Sequence, residues 1–206
     1  MARNGILALA ALALLAGNAQ AQDKKLETAV FAGGCFWCVE ADFDKVPGVL
    51  STTSGYTGGE VENPSYHDVS RGGTGHYEAV AIEFDPAKVS YDKLLHVFWH
   101  SVDPTDDGGQ FCDRGQSYET AIFALDAEQR RAAEASKSAL EKSGALQAPV
   151  VTRILEAGPF YPAEDYHQDY YLKNPGRYGF YRTACGRDRR LNKLWGDAAH
   201  SGIPKS

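Results

Sequence analysis

The alternation of apolar and polar positions divides the chain into elements. Residues 29–32 (Ala-Val-Phe-Ala) are a continuous apolar run ended by Gly33 and Gly34, which reads as a buried strand. From Cys35 the spacing becomes helical: Phe36, Val39 and Phe43 share one face, and Glu40 and Asp42 fall off it. Val46-Pro47-Gly48-Val49 predicts a turn, and residues 50–60, rich in Ser, Thr and Gly, predict a short strand. A long loop is then expected through Asn63–His67 and Arg71–Gly75. His76 to Phe84 is the clearest strand, with Glu78, Val80, Ile82 and Phe84 on one face and Tyr77, Ala79, Ala81 and Glu83 on the other. Tyr91 to His100 predicts a helix with Leu94, Leu95 and Phe98 inward, followed by a second long polar loop from Asp103 to Gly115.

Ser117 to Leu125 alternates as another strand. Asp126 and Gln129 open a helix that Gly144 stops. Val150 to Leu155 predicts a further strand, Pro162 to Leu172 a helix, Tyr178 to Arg187 an irregular segment, and Arg189 to Trp195 a short final helix. Strands and helices mix without regular βαβ spacing. The expected fold class is α+β, a two-layer sandwich with a mixed, mostly antiparallel sheet.

The N-terminus changes this picture at one end. Arg3, the apolar run Ile6 to Ala16 and the Ala19-Gln20-Ala21 site predict a secretory signal peptide over residues 1–21, cleaved after Ala21. Residues 22–206 then form one catalytic domain with an irregular C-terminal segment, in a periplasmic or secreted protein. The chain has 206 residues and a net charge of −6, and loses one more positive charge with Arg3. An acidic chain without basic clusters argues against nucleic acid or an anionic membrane as partner. No later segment is long and apolar enough to span a bilayer.

Four cysteines carry the candidate chemistry: Cys35, Cys38, Cys112 and Cys185. Cys35 opens a helix after a double glycine. There the backbone N–H groups and helix dipole favour a thiolate, and the glycines leave room for a ligand to approach the sulfur. Cys35-Phe36-Trp37-Cys38 is formally C-x-x-C, open to three readings: a thioredoxin-like dithiol, half of a zinc site, or a lone nucleophile with Cys38 sharing the turn. Phe-Trp is a poor fill for a zinc knuckle, and Cys112 and Cys185 are not a close pair, so no metal is expected. Glu78 sits on the apolar face of its strand, where lost solvation raises its pKa and makes it a candidate general acid. Tyr66 and Tyr118 border glycine-rich loops as candidate hydrogen-bond donors. His67, His76, His96, His100 and His167 show no ligand spacing and read as structural.

The residues also carry a resemblance. Gly34-Cys35-Phe36-Trp37, Tyr66, Gly75-His76-Tyr77-Glu78, Asp103-Pro104-Thr105, Asp113-Arg114-Gly115 with Tyr118, and Ala163 to Gln168 occur in this order. Together they resemble the A-type peptide methionine sulfoxide reductase family across about residues 27–185. The resemblance implies a ferredoxin-like core and a reductase for the S-epimer of methionine sulfoxide, free or in oxidised proteins, serving repair after oxidative stress. It implies Cys35 as nucleophile and Glu78 as the proton donor to the sulfoxide oxygen. Tyr66 and Tyr118 hydrogen-bond that oxygen, Phe36 and Trp37 form the methyl pocket, and Asp113 supports the site. No bound cofactor is implied, only a thioredoxin-like protein as reductant, and a monomer is expected.

Two positions depart from the family pattern. Glu119 stands where an Arg is usual. No cysteine follows Cys185, where many members carry recycling cysteines. Cys185, in the irregular segment, is the first choice to resolve a Cys35 sulfenic acid, with Cys38 and Cys112 as alternatives. A general thiol–disulfide oxidoreductase using Cys35 and Cys38 is the rival enzyme reading, and a binding module with structural cysteines the non-enzymatic one.

Overall fold

A computed structural model describes Met1 and residues 25–204. The expected signal peptide, apart from Met1, lies outside the described residues. Among these, no helix is long and apolar enough to cross a membrane.

Eight strands and seven α-helices follow one another in this order: β1 (Glu27–Gly33), α1 (Phe36–Phe43), β2 (Val49–Thr57), α2 (Tyr66–Arg71), β3 (Tyr77–Phe84), α3 (Tyr91–Ser101), β4 (Gly109–Gln110), β5 (Asp113–Arg114), β6 (Thr120–Ala124), α4 (Ala127–Ser143), β7 (Arg153–Glu156), β8 (Phe160–Pro162), α5 (Tyr170–Lys173), α6 (Pro175–Cys185) and α7 (Arg187–Trp195). Six strands form one sheet in the order β7-β6-β1-β3-β2-β8, while β4 and β5 make a separate small hairpin. Among the strand pairs of the described residues, only β6–β7 is parallel. The α+β class with a mixed, mostly antiparallel sheet is therefore observed.

The alternation that marks β1 and β3 as strands also sorts their side chains. Ala29, Phe31, Val80, Ile82 and Phe84 face the helices, where Phe36, Val39, Phe43, Leu94, Leu95 and Phe98 close the main core. Phe31 packs its ring against those of Phe43 and Phe98 at 5.5 and 5.0 Å. On the opposite face Val30, Ala32, Tyr77, Ala79, Ala121 and Phe123 form a second cluster, which Leu155 and Phe160 from the outer strands help to cover. The sheet thus curls over its second face and buries both sides of its centre.

Several expectations are corrected. The strand at residues 50–60 is nine residues long and starts at Val49. The expected loop after it contains α2, whose N-cap Ser65 and third helical residue Asp68 form a reciprocal capping box. Residues 162–172 are not one helix: Phe160–Pro162 pairs with β2, and only Tyr170–Lys173 is helical. The segment expected to be irregular is the regular helix α6, opened by Pro175 and closed by Gly186 in the left-handed region. Glu40 and Asp42 are not on a solvent face, because α1 is enclosed on nearly all sides and both carboxyls are buried.

Candidate active site

The β1–α1 junction sets the position of Cys35. Gly34 has φ +81°, and a Cβ there would lie 2.5 Å from the Cβ of Gln110. The space beside the double glycine is therefore filled by buried Gln110, which bonds the backbone of Asp103, and not left open for a ligand. Cys35 is the N-cap of α1, and its carbonyl accepts from Cys38 N at 3.0 Å. Antiparallel pairing puts Phe31 opposite Val80, which carries Glu78 to the level of that junction. The first amide of α1, Phe36 N, donates to Glu78 Oε2 at 3.0 Å. A short 3-10 turn (Gln116–Tyr118) delivers Tyr118, the first turn of α2 delivers Tyr66, and β5 delivers Asp113.

These groups meet. Cys35, Phe36, Trp37, Tyr66, Glu78, Asp113, Tyr118 and Tyr181 line one cavity of about 50 Å³. Glu78 is 2% exposed, and burial pushes its carboxyl up to about 8, against the Phe36 N–H bond, which favours the anion. Burial also raises Tyr66, to about 12, and raises Tyr118, so both phenols remain donors. Asp113 is raised by burial as well, and its Oδ2 accepts a very short bond from the Tyr181 hydroxyl.

The sulfur chemistry differs from expectation. Burial is the largest influence on Cys35 and pushes its thiol up, with Cys38 and Glu78 adding to it. The neighbouring Cys38 is lowered, by the hydrogen bond from Cys35 and by the Arg187 and Arg182 guanidiniums. Desolvation thus works against the thiolate that the helix N-terminus favours at Cys35, while nearby guanidiniums favour the charged form of Cys38. Cys35 and Cys38 are free thiols, whereas Cys112 and Cys185 form a disulfide. Cys185, expected to resolve a sulfenic acid from a mobile segment, instead ends a helix and is bonded to Cys112. Cys38 is the other free thiol, one turn on in α1, its backbone N bonded to the Cys35 carbonyl.

The methyl-pocket residues are held by an aromatic wall. Trp37 stacks on Tyr170 with ring centroids 3.8 Å apart, and Trp37 Nε1 donates to His167 Nδ1 at 3.0 Å. His167 also packs against Phe36 and Tyr66 at 5.0 and 4.5 Å. Glu164 accepts from Tyr66 N at 2.8 Å and from the Tyr56 hydroxyl at 2.9 Å. Sequence reasoning missed Tyr181, Tyr170 and the site role of His167. Pro175 at one end and Gly186 at the other are a start and a stop signal that could have revealed α6. Once it is helical, Tyr181 falls one turn before Cys185. Glu119, the departure from the family pattern, adds favourable charge to Arg153 on the neighbouring strand β7.

A cysteine, a carboxyl raised by burial and two phenols around a small cavity closed by Phe36 and Trp37 place the chain in the class of thiol-dependent reductases. A family model described as "Peptide methionine sulfoxide reductase" matches residues 27–199. The peptide methionine sulfoxide reductase MsrA of Bacillus licheniformis is 56% identical over 173 residues, which is 84% of this chain and 96% of that one. Methionine sulfoxide reductase A of Corynebacterium diphtheriae superposes with a TM-score of 0.66 at 34% identity, covering 75% of this chain and 77% of that one. Mxr1 from Saccharomyces cerevisiae in reduced form gives 0.68 at 26%, covering 75% and 89%, and the same fold is seen for Mxr1 in complex with Trx2 at 0.50 and 19%, covering 72% and 87%. The chain belongs to the peptide methionine sulfoxide reductase family.

Proposed function

We propose that this chain reduces the S-epimer of methionine sulfoxide, free or in oxidised polypeptides, at Cys35. One observation carries the assignment of roles: Cys35, Glu78, Tyr66 and Tyr118 converge on a single cavity whose remaining walls are Phe36, Trp37, Asp113 and Tyr181. A sulfoxide sulfur is a weak electrophile until its oxygen is protonated or strongly hydrogen-bonded. Glu78, pushed up to about 8, holds its proton at neutral pH and can deliver it to the oxygen. Tyr66 and Tyr118 hold the oxygen, Phe36 and Trp37 the methyl group, and Asp113 orients Tyr181 against Cys35. With oxygen, methyl and attacking thiol each fixed, only one hand of the sulfoxide can send its remaining chain out to solvent.

Cys35 Sγ attacks the sulfoxide sulfur and takes over its oxygen; thiol plus sulfoxide gives sulfenic acid plus thioether. Cys38 then condenses with the Cys35 sulfenic acid, forming a disulfide and releasing water. Its place one turn after Cys35 on α1, its free thiol and the lowering of its pKa support it over Cys185, which is held in a disulfide, for this step. A thioredoxin-like dithiol protein returns the pair to thiols, as the pairing of yeast Mxr1 with Trx2 suggests by analogy. The leader-like sequence of residues 1–21 extends the proposal to an exported protein with a donor outside the cytoplasm. N-terminal sequencing of the mature protein from a cell fraction tests this, and a full-length cytoplasmic chain overturns it.

The catalytic assignment is tested with the separated sulfoxide epimers. The expected result is turnover of the S-epimer alone, abolished in Cys35→Ser. Undiminished activity of Cys35→Ser would sink the mechanism. A general thiol–disulfide oxidoreductase would reduce insulin-type disulfides and would not depend on Glu78.

A further inference from the structure

The Cys112–Cys185 disulfide ties together the two segments that meet over Cys35. Cys112 lies in the turn of the β4–β5 hairpin and is directly followed by Asp113; Cys185 ends α6, one helical turn after Tyr181. The Tyr181 hydroxyl donates to Asp113, so bond and cross-link close one ring: Cys112, Asp113, Tyr181, Cys185. Each sulfur lies 3.8 Å from an Asp113 carboxylate oxygen, and Cys112 N donates to Cys185 Sγ at 3.1 Å. Both inner members of the ring face the site. Tyr181 meets the Trp37 ring edge-on at 5.7 Å, and Tyr181 and Asp113 line the same cavity as Cys35. None of the residues of α6 is buried, so the helix is held by its ends and by polar contacts rather than by a core face. One such contact is the Arg182 pair with Asp42, at 2.9 Å.

From this arrangement we infer that the Cys112–Cys185 disulfide is a redox-dependent clamp that positions Asp113 and Tyr181 on the substrate cavity. With the disulfide formed, the cavity is assembled and methionine sulfoxide binds. With it reduced, α6 and the hairpin lose their covalent link and keep hydrogen bonds such as Tyr181–Asp113, and substrate binding weakens. Opening the clamp takes two electrons from a dithiol donor, giving two protein thiols and the donor's disulfide. Closing it returns two electrons to a disulfide oxidant such as oxidised glutathione. Cys112 is exposed and open to either reagent. The inference rests on the reading of Cys35 as the reacting thiol. It makes the disulfide a positioning element, separate from the thiols that turn over.

The test is a single-turnover assay by rapid quench, without added reductant, measuring methionine formed against sulfoxide concentration. Three proteins are compared: wild type with Cys112–Cys185 intact and Cys35 and Cys38 reduced, wild type fully reduced and desalted, and the Cys112→Ser/Cys185→Ser double variant. The half-saturating sulfoxide concentration should rise about tenfold in the second and third, with a smaller change in limiting rate. In Tyr181→Phe the two redox forms should give the same half-saturation. Equal half-saturation in the two wild-type forms overturns the clamp. So does a double variant that falls only in thermal stability, or one that loses only its recycling by thioredoxin. Failure of the underlying reading shows elsewhere, as methionine formed by Cys35→Ser.

Discussion

Glu78→Gln keeps the shape of the side chain and its acceptor for Phe36 N but removes the titrating proton. Burial lifts the Glu78 carboxyl from 4.5 to about 8, so the anion is disfavoured in the folded site by up to about 4–5 kcal/mol, at roughly 1.4 kcal/mol per pKa unit. The sign for stability follows from proton counting. The folded state holds this proton up to about pH 8 and the unfolded chain only to about 4.5. Stability is therefore full below pH 4.5 and is lost as pH rises through 8. Gln cannot ionise and shows none of this loss. Urea unfolding of both proteins at pH 5 and pH 9.5 should give stabilities that diverge by a few kcal/mol in favour of the variant at the higher pH. Comparing the two proteins cancels the other groups that titrate in that range. Catalysis should move the opposite way, with the rate of methionine formation falling at least about tenfold in the variant. The wild-type kcat/KM should decline above about pH 8 as the acid is lost. Parallel stability–pH curves for the two proteins would refute the claim that Glu78 is held neutral by burial.

Three further expectations follow from the same geometry. Gly34→Ala should cost at least about 2–3 kcal/mol in denaturant unfolding, since it combines φ +81° with a contact to Gln110 far inside van der Waals distance. Glu40→Gln should flatten stability between pH 4.5 and 7, because burial lifts this carboxyl to about 7 and its oxygens lack a well-formed hydrogen bond; unchanged pH dependence would contradict that. Cys38→Ser should release one methionine per protein and then stall, leaving a Cys35 sulfenic acid that dimedone traps; sustained turnover with thioredoxin would show that another cysteine resolves it.

Much of the frame was readable because it is written in periodicity. The alternation in β3 put Glu78 on the face that meets α1, and the change from period two to helical spacing at Cys35 marked the strand–helix junction. What escaped was written in the caps. Pro175 and Gly186 frame α6, but Gly176, Gly179 and the polar or aromatic residues between them lack an apolar stripe, because no face of this helix is buried. Ser65 and Asp68 likewise signalled α2 within a loop-like composition. The acidity of the thiols was misread for a different reason. Sequence shows the helix N-terminus beside Cys35 but not the burial that works against it, nor Arg182 and Arg187, which approach Cys38 from elements more than 140 residues away. The Cys112–Cys185 pair, 73 residues apart, was equally beyond local reading.

The most direct measurement is a thiol and disulfide map of the protein after one turnover with methionine S-sulfoxide in the absence of reductant. The account predicts a new bond between Cys35 and Cys38, with one methionine formed per protein and Cys112–Cys185 unchanged. Methionine formed while Cys35 is still a free thiol would contradict it.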